Sequence, residues 1–194
     1  MKIDTLLAKR VRDLRKSQGL ALDTLAELSG VSRSMISLIE REETSPTAAV
    51  LDKLAGALGV TLAALFSAES QGAEVQPLAR RAEQQVWTDP ASGYVRRHLS
   101  PGGHVSPIEL AEVTFPPGQS VTFDNVPRNI VTHQQIWVLD GEMEITLGEK
   151  RWRLETGDCL ALVLGPDITF SNPTSRPARY ALALTSSLPI SRRT

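Results

Sequence analysis

LALDTLAELSGVSRSMISLIERE, residues 20–42, is the stretch from which the rest of the chain can be read. Leu22, Leu25, Ala26 and Leu28 recur at helical spacing, and Gly30 follows them. A glycine there can take the left-handed conformation that ends a helix, at no Cβ cost. Ser32 comes next, with a hydroxyl free to accept an orphan backbone N–H of a second helix. Met35, Ile36 and Ile39 then form a second apolar stripe, and Arg33, Ser34, Ser37 and Arg41 lie off it.

Two short helices joined this tightly must cross steeply. That arrangement is a helix-turn-helix, whose second helix can enter the major groove of DNA. An arginine at its start can make a bidentate contact to guanine, and small side chains beside it permit close approach. Arg33, Ser34 and Ser37 are therefore expected at base edges, with Arg41 nearer the DNA backbone.

Together with SPTAAVLDKLAGALGV after it, the stretch resembles the Cro/C1-type (xenobiotic-response) family of helix-turn-helix domains. The resemblance rests on Leu25-Ala26, Gly30-Val31-Ser32, Ile36, Ile39-Glu40, Ser45-Pro46, Leu54-Ala55 and Leu58-Gly59. It implies an Arg15–Glu40 pair, and phosphate contacts at Thr44 and Ser45; the alternatives are two solvated charges and turn or cap residues. Ala21 departs from the family pattern, which has Ser or Thr as the cap of the first motif helix. The loss should cost that helix about 1 kcal/mol.

Around the motif, residues 4–18 read as a first helix with Leu7, Val11 and Leu14 on one face. Ser45 as cap and Pro46 as first helical residue announce a fourth helix to about Leu58. Thr61 caps a short last one through Leu65 and Phe66. The expected bundle of about five helices fills residues 1–67, and the small polar run SAESQGAEVQ, residues 67–76, marks a linker assigned to residues 68–77.

From residue 78 to 194 the texture changes to short β-like runs. Ile108, Leu110, Val113 and Phe115 mark one strand, and residues 131–139, 143–147, 150–154, 159–164 and 178–184 mark others. Asp140-Gly141 is a hairpin signal. PPGQSV, IWVLDGEMEITLGEKRWRLETGDCLAL and LGPDITFSNP are similar to the cupin family, an all-β jelly-roll barrel. A helix-turn-helix followed by a cupin is an architecture of bacterial transcription regulators. There the cupin is taken as small-molecule sensor and dimerisation element.

Cupin enzymes hold a divalent metal with three histidines and a glutamate. Aligned on Gly141, the glutamate position is Gln134. The histidine positions are Arg128 and Ile130 or, at the longer spacing, Pro127 and Asn129. Aligned on Gly157, the third histidine position is Ile168. An amide and aliphatic chains cannot replace imidazole and carboxylate donors, so no metal, no cofactor and no catalysis is expected. Strand alternation puts Gln134 inward with Thr132, Ile136 and Val138, and brings Ile168 and Phe170 to the same interior. Arg128 either reaches a ligand anion or lies in a solvated loop. The expected effector pocket is thus Arg128, Gln134, Ile136, Ile168 and Phe170. Trp137 and Trp152 are expected on the outer or dimer-facing surface, and Cys159 in the core.

The chain has 194 residues, 41% of them hydrophobic, and a net charge of −1. That content permits real cores and excludes a disordered chain. The balanced charge argues for modest non-specific DNA affinity and for dimeric, sequence-specific binding. One cysteine permits no internal disulfide, and no run is long and apolar enough for a bilayer, so no membrane partner and a cytoplasmic setting are expected. The expected partners are double-stranded DNA with a palindromic operator, a small-molecule effector and a second copy of the chain. A cupin enzyme with a DNA-binding appendage, and a regulator whose cupin is only a structural dimer module, are the alternatives.

Overall fold

A computed structural model describes residues 3–66, 76–103, 106–124, 131–165 and 167–187. The helices come first: α1 (Ile3–Ser17), α2 (Leu22–Ser29), α3 (Arg33–Glu40), α4 (Ala48–Ala57) and α5 (Leu62–Leu65). Leu7, Val11, Leu25, Ile36, Ile39, Leu51, Leu54 and Leu65 close a shared core, each fully or almost fully buried. Burying a chain of that size is worth ~1.5–3 kcal/mol.

The local signals around the motif act as their chemistry dictates. Ala21 is extended and offers no side-chain cap. Gly30 sits at φ 67°, and its N–H reaches the Ala26 carbonyl at 2.9 Å. The Ser32 hydroxyl accepts the Met35 N–H at 3.2 Å. Two apolar expectations fail. Leu28 and Met35 are exposed, and the buried faces use Ser29 and Val31 in their place. Ser29 satisfies itself there by donating to the Leu25 carbonyl at 2.6 Å.

Helix α4 begins later than Ser45-Pro46 suggests. Its cap is Thr47, whose hydroxyl accepts the Val50 N–H at 3.3 Å. Ser45 instead donates to Asp4 Oδ1 at 2.6 Å.

The strands follow: β1 (Val86–Thr88), β2 (Val95–His98), β3 (Ile108–Phe115), β4 (Ser120–Phe123), β5 (Val131–Asp140), β6 (Met143–Leu147), β7 (Lys150–Leu154), β8 (Cys159–Val163), β9 (Ile168–Ser171) and β10 (Ala178–Ser187). They form a six-stranded sheet in the order β1-β2-β3-β10-β5-β8 and a four-stranded sheet in the order β4-β9-β6-β7. Every pairing is antiparallel. This is the cupin jelly roll, with inward side chains of both sheets filling the space between them.

At the β5–β6 hairpin, Gly141 is required twice over. Its φ is 79°, and a Cβ there would meet the Pro177 carbonyl oxygen at 2.9 Å.

In β3 the inward residues are Ala111, Val113 and Phe115; Ile108 and Leu110 have the opposite parity and are exposed. Cys159 is exposed too, a correction to its expected core position. It lies opposite the outward Trp137 on β8, an edge strand. Trp137 is exposed as expected, whereas Trp152 packs partly buried against the core.

The helical and β domains are docked through α4 and the residues that flank α5. Asp89 Oδ1 accepts the Ala48 N–H at 2.9 Å. Thr61 donates to Glu109 at 3.0 Å, and Lys53 pairs with Asp124 at 3.1 Å. Phe66 and Trp87 meet with ring centroids 5.7 Å apart.

Candidate functional site

Helix α3 presents one face to solvent and one to the core. Ile36 and Ile39 are buried, while Arg33 and Ser34 are exposed and Ser37 is half-buried. Arg33 Nε lies 2.9 Å from Asp23 Oδ1, an open surface pair between the two motif helices. Such pairs are worth little and can exchange for a phosphate or a base. Ser34 meets the Ser32 hydroxyl at 3.2 Å. Arg41 donates to Ser37 Oγ at 3.1 Å and to Glu43 Oε1 at 2.7 Å, so it leans back along the helix. Thr44 is half-buried, and Ser45 is exposed with its hydroxyl held by Asp4.

The helix is held from behind by a charge pair. Arg15 Nε and Nη2 each reach Glu40 at 2.7 Å, and Arg15 Nη1 reaches the Leu20 carbonyl at 2.8 Å. Glu40 is buried and Arg15 nearly so. The hydrogen bonds to Glu40 raise the arginine pKa further, against the opposing effect of burial. A bidentate pair in this setting fixes the angle of α3 against α1.

A second site lies between the two sheets of the cupin. It is a cavity of about 60 Å³. Gln134 lines it from β5, beside Thr132, and Ile168 and Phe170 line it from β9. Ile136 is fully buried but does not reach the cavity. Arg128 lies outside the described residues.

Other lining residues went unread in the sequence. Tyr94 and Arg96 reach the cavity from the segment around β2, Phe123 from β4 and Tyr180 from β10. One part of the wall is helical: Asp52 of α4, Leu62 and Ala63 of α5, and Thr61 just before α5. Arg96 carries no motif that marks it in the sequence. The usable signal is parity. Tyr94, Arg96 and His98 alternate, and all three are buried.

The electrostatics of the interior centre on Arg96. Burial, reinforced by this guanidinium, pushes His98 down to about 4. Burial also raises Tyr94 and Tyr180 well above the ordinary phenol range, with Arg96 opposing it. Glu109 is raised by burial, opposed by its Thr61 hydrogen bond and by Arg96.

The residues at the metal positions of cupin enzymes do not suit a metal. Gln134 brings an amide to the interior and Ile168 an alkyl chain. His133, next to Gln134, is exposed on the opposite face of β5. Among the described residues no three His, Cys, Asp or Glu side chains gather closely enough to hold an ion.

A helix-turn-helix with its second helix open to solvent, docked on a jelly roll, defines a DNA-binding transcription regulator. The helix-turn-helix family profile matches residues 11–65. The chain is 28% identical to the HTH-type transcriptional regulator PuuR of Escherichia coli (strain K12), over 91% of this chain and 93% of that one. It is 30% identical to the HTH-type transcriptional regulator SinR of Bacillus licheniformis, over 48% of this chain and 86% of that one. A crystal structure of an HTH_3 family transcriptional regulator from Vibrio cholerae shares the fold, with a TM-score of 0.74 at 24% identity over 94% of this chain and 96% of that one. The chain therefore belongs to the helix-turn-helix family of transcriptional regulators, with a jelly-roll domain following the helical one. Among the described residues no helix is long and apolar enough to cross a membrane.

Proposed function

We propose that the protein is a homodimeric regulator that reads a palindromic operator with α3 and senses a small-molecule effector in its cupin domain without a metal. Residues 1–67 bind DNA, residues 68–77 link, and residues 78–194 sense and dimerise. Arg33, Ser34 and Ser37 meet base edges; Arg41, Thr44 and Ser45 lie nearer phosphates. The observation that carries this reading is the two-sided α3, with Ile36 and Ile39 anchored in the core and Arg33 and Ser34 open to solvent.

The effector reading is supported by the cavity and by the poor match of Gln134 and Ile168 to metal chemistry. For the same reason the protein is read as a regulator and not an enzyme, acting where DNA is, in the cytoplasm. Homodimerisation is supported by the outer face of the six-stranded sheet, which exposes Ile108, Leu110, Trp137 and Val163. An apolar stripe of this kind suits burial against a second copy.

Selection of bound duplexes from a random-sequence library tests the reading. The expected product is an inverted repeat with half-sites about one helical turn apart, roughly 34–36 Å. Arg33→Ala should relax preference at one base position per half-site, at a cost of about 1–3 kcal/mol. An unchanged preference in that variant would remove Arg33 from the interface.

A further inference from the structure

We infer that the cavity takes a small carboxylate, gripped by Arg96 and Gln134 and roofed by the DNA-binding domain itself. The inference rests on the sensor reading above and adds the chemical class of the ligand and the domain that closes over it.

Size comes first. One water needs roughly 10–15 Å³ by the same measure. A cavity of about 60 Å³ therefore suits a cluster of waters or an organic molecule of a few heavy atoms.

Polarity comes second. Most of the wall is apolar, contributed by residues such as Val113, Phe115 and Leu182. Into this wall project two polar side chains that are 6% and 4% exposed, Arg96 and Gln134. Arg96 Nε and Gln134 Nε2 have no hydrogen-bond partner within the protein. Buried donors left unmet are costly, and a ligand acceptor relieves the cost. The guanidinium cannot lose its proton, so it remains a cation in a poorly solvated place. A planar carboxylate offers it charge and a matching fork of acceptors, with a lone pair left for the amide.

The roof comes third. Asp52, Thr61, Leu62 and Ala63 close the cavity, and all four belong to α4 and α5 or the turn between them. A bound ligand touches both domains at once. Its affinity then depends on how the helices sit on the cupin, and by linkage its presence biases that docking. Asp52 carries the charge opposite to Arg96, so a ligand with an ammonium group beside its carboxylate could address both walls.

The test is a thermal-shift and calorimetric screen of the full chain. The probes are propionate, butyrate, lactate and alanine, set against propionamide and propylamine. Carboxylates should bind and raise the melting temperature, and the amide and amine should not. Alanine binding more tightly than propionate assigns the ammonium to Asp52; equal binding assigns recognition to the carboxylate alone. Arg96→Met should weaken carboxylate binding about 10–100-fold. Gln134→Glu, which adds a like charge at the same wall, should do the same and serves where Arg96→Met does not fold. Leu62→Phe, placed in the DNA-binding domain and checked for native circular dichroism, should also weaken binding by filling the roof. Wild-type affinity in that variant would overturn the shared roof. Stabilisation by amine or amide alone would overturn the carboxylate assignment and leave the sensor reading standing. No stabilisation by any probe would overturn both.

Discussion

Asp89 Oδ1 accepts the backbone N–H of Ala48 at 2.9 Å, so the first N–H of α4, which Thr47 does not reach, is met from the other domain. The same carboxylate accepts from the Ser92 amide at 2.8 Å and its hydroxyl at 2.6 Å, and is itself buried. Asp89→Ala strands these donors and should lower the unfolding free energy by about 2–3 kcal/mol. Asp89→Asn, which keeps one acceptor oxygen, should lose less. Urea denaturation of the three proteins side by side checks the order.

Arg15 and Glu40 form a second buried contact, this one within the helical domain. Removing the cation leaves a buried carboxylate with, among the described residues, only Arg12, 4.0 Å away, as a charge partner. Arg15→Met should cost about 3 kcal/mol. The double change Arg15→Met with Glu40→Leu should recover most of the loss, because two well-packed apolar chains can replace a buried pair. A double-mutant cycle by chemical denaturation measures the coupling.

Asp23 holds Arg33 at the surface and adds a negative charge where DNA must approach. Asp23→Asn should free the guanidinium and tighten operator binding by about 2–5-fold near 0.1 M salt. The gain should shrink as salt rises. Fluorescence anisotropy at several salt concentrations reads both effects.

His98 ties stability to pH. Burial and Arg96 hold its pKa at about 4 in the folded chain, against 6.5 ordinarily. The unfolded chain therefore binds the extra proton between those values, and stability falls as pH drops through that window. The loss is on the order of 3 kcal/mol by pH 4. Glu109 works in the other direction, since burial raises its pKa and its protonation favours the folded form as pH drops. Comparing wild type with His98→Gln cancels the Glu109 contribution. The variant should lose less stability between pH 7 and pH 4, and parallel curves would contradict the assignment.

Short-range chemistry was readable from the chain, and long-range chemistry was not. The helix-ending and capping roles of Gly30, Ser32 and Thr61 act within a few residues of themselves and followed from spacing alone, whereas the bond from Thr61 to Glu109 did not. The start of α4 was misplaced because the Ser45 hydroxyl is taken by Asp4, 41 residues away, which leaves Thr47 to cap the helix. Alternation brought Gln134, Ile168 and Phe170 to the cavity, since a strand face follows from parity once one residue is placed. Ile108, Leu110, Val113 and Phe115 share one strand, as their spacing suggested, and parity puts the first two outside and the last two inside. Cys159 looked like core because its neighbours are apolar, but it sits on the edge strand β8 opposite the exposed Trp137, on the outer face of the sheet. Arg96 was missed because charge is ordinarily a surface property, and its burial depends on a cavity that neither domain forms alone.

The central claim is that two copies of the chain read DNA sequence through α3. Titration of the full chain into the selected duplex and into a scrambled duplex, at fixed salt, tests it most directly. Two chains per selected duplex are expected, with affinity at least about 1,000-fold above the scrambled sequence and lowered by Arg33→Ala. One chain per duplex, or equal affinity for both sequences, would contradict it.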